Sequence, residues 1–367
     1  LSTASPFGFD LAHLRIEPAC VLAPMEGITD RSFRTLIRGL GGCGLTVTEF
    51  VSSEAMSRHV AKAWRMAELA PDEHPVSIQI YGRDPGRMAE AARYCEELGA
   101  DIVDINLGCP SKTVTSGCAG SALMREPPLA QRIFAAVKSA IGIPMTVKMR
   151  LGWDRECLNS PEVAYIAQEE GAAMVTVHGR TRMDFYKGAA DWSAVGEVKR
   201  RLRVPVLVNG DILTIDDADR ALVESGCDGV MVGRGTMRDP WILRAIADHR
   251  QGRPPYLPTL DERRDVLLRY FDLIRQDAES DDRRALGKLK KVSGYFTRGL
   301  PWGARLREMV YRSTETEAVY AAVHEYFELL ASNGLRDGFA RVFADPSQPY
   351  QTQDSRRLER SALEVEP

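Results

Sequence analysis

The sequence predicts an α/β protein: a (β/α)8 TIM barrel followed by a smaller all-helical domain. Three observations carry this. Eight short β-branched or apolar runs alternate with longer amphipathic stretches over about 230 residues, close to the usual size of such a barrel. The runs are continuously apolar, as parallel strands buried on both faces are. Beyond residue 258 the strand-like runs stop and only helical periodicity continues.

Residues 1–18 read as an N-terminal extension and 19–252 as the barrel. The expected strands are "CVLAPM" (20–25), "GLTVTEF" (44–50), "VSIQIYG" (76–82), "DIVDINLG" (101–108), "MTVKMR" (145–150), "MVTVHGR" (174–180), "VPVLVNGD" (204–211) and "DGVMVGRG" (228–235). Segments such as "PGRMAEAARYCEELGA" (85–100) and "TIDDADRALVESG" (214–226) read as the intervening helices. Several close on Gly, a common helix stop. A doubly wound open sheet competes with the barrel, but it would place a GxGxxG turn after its first strand, and "APMEGITD" is not one. Helical stretches then define a second domain over 258–338. The polar remainder, 339–367, reads as a loosely held tail.

Composition narrows the function classes. With 44% hydrophobic and 27% charged residues the chain is ordinary globular protein, and its net charge of −3 hides local asymmetry. Seven scattered cysteines without a CxxC pair argue against a disulfide framework and for a reducing cytoplasm. The six histidines are dispersed, so no metal cluster is expected. No apolar run approaches the ~20 residues that span a bilayer, and the start lacks the basic and apolar segments of a signal peptide.

In such a barrel the active site lies at the carboxyl ends of the strands. Read in order, those ends deliver Pro24, Met25 and Glu26; Glu49; Gln79 and Tyr81; Asn106 and Cys109; Lys148 and Arg150; His178 and Arg180; Asn209, Gly210 and Asp211; and Gly233, Arg234 and Gly235. Gln79 alone reads as a loop cap and His178 alone as a satisfied core histidine. An unpaired lysine at Lys148 is harder to dismiss, because burying one is costly. The glycine turns after strands seven and eight occupy the recurrent phosphate site of this fold, and Arg234 adds charge there. Lys148 and Gln79 suit the N1–C2=O and pyrimidine edges of a flavin; a Schiff-base lysine is the alternative. For Cys109, a disulfide, a metal ligand, a structural thiol and a catalytic acid are all open at this point.

The motifs "LAPMEGITDRSFR", "VSIQIYG", "DINLGCPSKTV" with "GSALM", "VKMRLGW", "HGRT", "VNGDI" and "MVGRG" follow one another in the order of the tRNA-dihydrouridine synthases. The chain resembles that family over roughly residues 19–335. The resemblance implies an FMN-dependent barrel that reduces uridines in tRNA to dihydrouridine with NADPH. It implies that FMN is held by Pro24, Met25, Glu26, Gln79, Lys148, His178, Asn209, Gly210, Asp211, Gly233 and Arg234. It places Asn106 near flavin and uracil and makes Cys109 the catalytic cysteine. Many relatives carry Ala at the position of Glu26, and Cys118 matches no family position. In that chemistry hydride goes to C6 of uracil and a proton must reach C5 from the opposite face. A thiol with an ordinary pKa near ~8.5 is mostly protonated at neutral pH and can supply it. The turn around Cys109 is expected to be a mobile loop.

The flipped uracil requires a grip on the RNA. Arg283, Arg284, Lys288, Lys290, Lys291, Arg298, Arg305 and Arg307 follow one another, with Tyr295, Phe296 and Trp302 interleaved. No acid intervenes in that run apart from the flanks, which points to a phosphate backbone with rings for stacking. A solvated helix face is the bland reading of the same charges. A cytoplasmic monomer is expected. An FMN barrel acting on a free pyrimidine, as dihydroorotate dehydrogenases do, and a non-catalytic RNA-binding protein are the competing functions.

Overall fold

The computed structural model describes residues 7–334 apart from 279–280 and 298–299. The expected tail and Arg298 lie outside the described residues. Two compact units emerge. The first holds the chain through Thr236 together with Ile242–Pro255; the second holds Met237–Trp241 and the chain from Tyr256.

The first unit is a closed barrel of β1 (Cys20–Leu22), β2 (Leu45–Val47), β3 (Val76–Tyr81), β4 (Ile102–Leu107), β5 (Met145–Arg150), β6 (Ala172–His178), β7 (Val206–Asn209) and β8 (Gly229–Val232). Each strand pairs in parallel with the next, and β8 returns to β1 through Val230↔Cys20 and Val232↔Leu22. β1 ends three residues before the sequence suggests, just short of Pro24, which has no N–H for the ladder. "GLTVTEF" likewise yields only a three-residue β2; Val51–Ser52 then forms a separate short strand beside β3. Within the N-terminal extension, Phe9–Leu11 and Leu14–Ile16 form an antiparallel hairpin that buries Phe9, Leu11 and Ile16.

Helices follow the strands for local reasons. α1 (Arg31–Leu40) starts where Asp30 accepts the Phe33 N–H, and α3 (Pro85–Glu97) where Asp84 accepts that of Arg87 ahead of a first-turn proline. α2 (Ser53–Ser57) and α4 (Pro127–Ala140) complete the first half of the ring. α5 (Ser160–Glu169), α6 (Trp192–Arg201), α7 (Ile215–Ser225) and α8 (Ile242–Arg250) complete the second. α7 stops at Gly226, left-handed at φ 65°.

The second unit contains α9 (Leu260–Asp277), α10 (Asp282–Phe296), α11 (Gly303–Arg312) and α12 (Thr316–Ser332). Thr259 and Glu262 form a reciprocal capping box at the start of α9. Phe271, Leu289, Val292, Leu306, Val323 and Leu330 belong to its buried interior.

A charged pair lies wholly inside the barrel unit. Arg34 of α1 is ion-paired with Glu73, both essentially inaccessible. Its guanidinium also donates to the carbonyls of Thr29 and Glu68, and Glu73 accepts from Thr46 Oγ1 and the Ala70 N–H. The pair thus ties α1 and the β1 loop to the chain entering β3. Arg34→Met leaves the Glu73 carboxylate buried without its cation. We expect a loss of about 3–5 kcal/mol in urea unfolding; a loss below 1 kcal/mol marks the pair as inert.

Candidate active site

Register decides what the barrel mouth contains. Gln79 of β3 lies opposite Asp104 of β4, Asp104 opposite Thr146 of β5, and Asn106 opposite Lys148. Residues two apart on a strand share a face, so these five side chains form one inward patch. Four of them are connected. Asp104 accepts from Gln79 Nε2 at 2.6 Å and from Thr146 Oγ1 at 2.5 Å. Gln79 Oε1 accepts from Asn106 Nδ2 at 2.7 Å. Asn106 Oδ1 then accepts the N–H groups of Gly108 and Cys109 at 3.0 and 2.9 Å. Burial pushes the Asp104 carboxyl pKa up; Gln79, Thr146 and the charge of Lys148 pull the other way.

Cys109 is pinned at both backbone groups. Its carbonyl accepts from Ser121 Oγ at 2.8 Å and from the Ser121 N–H at 3.2 Å. Arg150, buried at the end of β5, donates Nε to the Gly108 carbonyl at 2.8 Å and Nη1 to the carbonyls of Thr181 and Phe185. The turn is therefore fastened, where the sequence led us to expect a mobile loop. Gly120 is required for it: φ is +59°, and a Cβ would stand 2.8 Å from Val114 Cγ1. The side chain packs with Val114 and Ala119 beside Phe50 and Tyr81. Burial pushes the thiol pKa up, and Glu26 adds to this; the Ser111 N–H, Arg150 and Lys148 oppose it. The thiol is free, as are the other six cysteines.

Lys148 is partly open to the mouth and donates to Asn209 Oδ1 at 3.1 Å. Burial, and then repulsion from Arg150, lowers its pKa from 10.5 to about 8. Asn209 also donates to the Met231 carbonyl at 2.7 Å, so its amide bridges Lys148 to β8. Gly210, at φ 113°, has its close neighbour in the protein itself: a Cβ would lie 2.7 Å from the His178 ring. His178 is buried, and that burial together with Arg150, Lys148, Arg180 and Arg234 keeps its pKa well below the usual range. Arg180 Nη1 lies 3.3 Å from His178 Nε2. A guanidinium only donates, so the neutral imidazole accepts at Nε2 and carries its proton on Nδ1.

The two glycine turns meet at Asp211. Its carboxylate accepts from Arg180 Nη2 at 2.5 Å, Arg234 Nη2 at 2.8 Å and the Ala190 N–H at 2.9 Å. Burial works against that carboxylate, but these donors hold it below the usual carboxylate range. Two arginines on one acid leave net positive charge at this corner. Gly233 faces Met25, whose Sδ a Cβ would meet at 3.4 Å; Gly235 sits under the Ile212 carbonyl, 2.6 Å from where its Cβ would be. At the β1 end Pro24 and Met25 are half-buried, Glu26 is exposed, and Glu49 accepts the Gly27 N–H. Asp104, Arg150 and Ser121 are hydrogen-bonded neighbours of the candidate site that the sequence reading left without a role. The "GSAL" spacing after "NLGC" was the available signal for Ser121; Asp104 looked like one more polar residue in a strand.

In the helical unit, Arg283, Arg284, Gly287, Lys288 and Lys291 lie on the outer side of α10, while Ala285, Leu289, Val292 and Phe296 are buried on the other. Lys290 donates to the Tyr311 carbonyl, and Lys288 lies over the Tyr270 ring. Two expectations change. Phe296 is a core residue against Tyr270, which removes it as a stacking ring. Arg305 meets Glu325 at 3.5 Å, an acid distant in sequence.

Taken together, barrel and mouth define a (β/α)8 barrel with a candidate active site at the carboxyl ends of its strands. The profile described as "Dihydrouridine synthase (Dus)" matches residues 21–330. A "Probable tRNA-dihydrouridine synthase" of Rhodobacter capsulatus is 42% identical over 320 residues, 86% of this chain and 97% of that protein. A Rickettsia conorii protein of the same description is 38% identical over 89% and 99%. A "tRNA-dihydrouridine synthase B" of Xanthomonas axonopodis pv. citri is 38% identical over 86% and 94%. The chain belongs to the dihydrouridine synthase family, and its class is that of an oxidoreductase acting on a CH–CH bond. Among solved structures, a 2-naphthoyl-CoA reductase in complex with 2-naphthoyl-CoA shares the fold, with a TM-score of 0.52 at 12% identity. That match covers 67% of this chain and about half, 52%, of the other.

The lowered pKa of Lys148 has a thermodynamic signature. Between about pH 8 and 10.5 the unfolded chain binds this proton and the folded one does not. Stability from this group therefore rises with pH in that window. Relative to Lys148→Met, the wild-type protein should gain stability from pH 8 to 10; a flat difference in chemical denaturation places the ammonium in solvent.

Proposed function

We propose that this protein reduces uridine in tRNA to 5,6-dihydrouridine, with FMN in the barrel mouth, NADPH as reductant and Cys109 as general acid. The observation that carries the reading is the fastening of Cys109, with a thiol kept protonated by burial, at the strand end beside Lys148. The residues present fit a flavin mononucleotide. Lys148 has a neutral hydrogen-bond partner, Asn209, and its charge suits an electron-rich ring edge. Arg180 and Arg234 share a single carboxylate, leaving charge for a phosphate near Gly210 and Gly233. Pro24, Met25, Glu26, His178 and Asp211 complete the set that would hold the cofactor, and Gln79, inaccessible in this structure, would act on it from behind through Asn106.

When bound, the flavin supplies the hydride for C6 of the uracil. The rest falls to the chain. Cys109 holds the proton that C5 requires, and its raised pKa keeps the thiol in the acid form at neutral pH. Lys148 keeps its positive charge below about pH 8. Asn106 spends one N–H on Gln79 and retains a second for the base. His178, neutral, offers a donor at Nδ1. The outer face of α10, with Arg283, Arg284, Lys288, Lys290 and Lys291, binds the RNA backbone while the target base is unstacked, and Arg298 follows them in the sequence. A monomer in the cytoplasm suits this work.

Cys109→Ala should leave flavin reduction by NADPH intact and lower tRNA turnover by roughly 10²–10⁴. Near-normal turnover removes the thiol from the chemistry. For the RNA face, raising salt from about 50 to about 200 mM should weaken tRNA binding by roughly two orders of magnitude, and Arg283→Glu with Lys291→Glu should flatten that dependence. Binding indifferent to salt would locate the RNA elsewhere.

A further inference from the structure

The hydrogen-bond chain beneath the mouth has a direction, and the direction is set at its buried end. An ionised carboxylate only accepts, and a backbone N–H only donates. Between these two fixed ends stand two amides, Gln79 and Asn106, each able to face either way. Asp104 takes Gln79 Nε2, which turns Gln79 Oε1 towards Asn106 Nδ2. That turns Asn106 Oδ1 towards the N–H groups of Gly108 and Cys109. Any other orientation of either amide sets donor against donor or acceptor against acceptor in a buried layer: Gln79 is inaccessible, Asp104 3% and Asn106 5% exposed. Thr146 Oγ1 occupies the other carboxylate oxygen, so Asp104 cannot swing away without losing both partners.

We infer that Asp104 is a positioning residue: through Gln79 and Asn106 it fixes the polarity of the amide relay that holds the backbone of Cys109 at the mouth. The positional claim stands on these contacts. Its meaning for catalysis rests on the acid role proposed for Cys109.

Hydrogen exchange at the amides of Gly108 and Cys109 in the cofactor-free protein reads the relay directly. Asp104→Leu, of similar size with no acceptor, should speed exchange at these two amides by about tenfold, the loss of roughly one hydrogen bond. Exchange in the flanking strands should hold. Asp104→Asn keeps an acceptor oxygen, and Thr146 can accept from its amide, so protection should stay near wild type. Gln79→Glu sets two carboxylates against each other and should loosen the turn. Gln79→Glu combined with Asp104→Asn moves the carboxylate one step along the chain, where it accepts from both neighbouring amides; protection should return. This isosteric pair decides the matter if Asp104→Leu does not fold. Unchanged protection in folded Asp104→Leu, equal effects of Asn and Leu, or no rescue in the double variant would each overturn the inference. Turnover by Cys109→Ala tests the acid role separately, so either claim can fail without the other.

Discussion

A carboxylate that cannot donate, buried where three strands meet, is the constraint on which the mouth of this barrel depends. Parallel pairing places Asp104 between Gln79 and Thr146, and both donate to it. From there the polarity of each successive group is forced until it reaches the amides of Gly108 and Cys109. The other side of the turn is fixed independently, by Ser121 on the Cys109 carbonyl and Arg150 on that of Gly108. A turn held in this way loses little freedom when a ligand arrives, which is how a site lowers the entropic part of its barrier.

Electrostatics at the mouth follow from crowding. Burial first, and then four cationic side chains, Arg150, Lys148, Arg180 and Arg234, keep the His178 imidazole neutral. Lys148 is itself held back by burial and then by Arg150. Asp211 relieves part of this by bridging Arg180 and Arg234 across the loops that follow β6, β7 and β8. Two cations thus share one acid, and the corner remains receptive to an anion.

The barrel and the membership of the mouth were legible because strand runs and strand-end residues are local in sequence. Lys148, Gln79, Asn106 and Cys109 announce themselves as polar groups in apolar runs. What stayed hidden is pairwise. The conflict that makes Gly210 a glycine is with His178, a residue of the preceding strand, whereas the sequence reading explained the turn by a phosphate site. Asp104 gains meaning only once register sets it opposite Gln79. Phe296 and Arg305 misled for the same reason: Tyr270 and Glu325, their neighbours in space, lie far from them along the chain. Strand ends were overextended at Pro24 and at "TEF", where the ladder stops while apolar character continues.

The outer side of α10 carries Gly287, with no described atom outside its own helix within 4 Å of where its Cβ would be, and Gly294, where a Cβ would stand 3.7 Å from Arg307 Cδ. Each glycine in a helix interior sacrifices about 1 kcal/mol relative to alanine. Adjacent cations repel one another along the same side. Fifteen residues with these handicaps have little helical autonomy in water. The regular spacing of those charges is consequently a property of the assembled bundle, conferred by the apolar seam of Ala285, Leu289 and Val292, and an excised peptide would present the same ions as a disordered string.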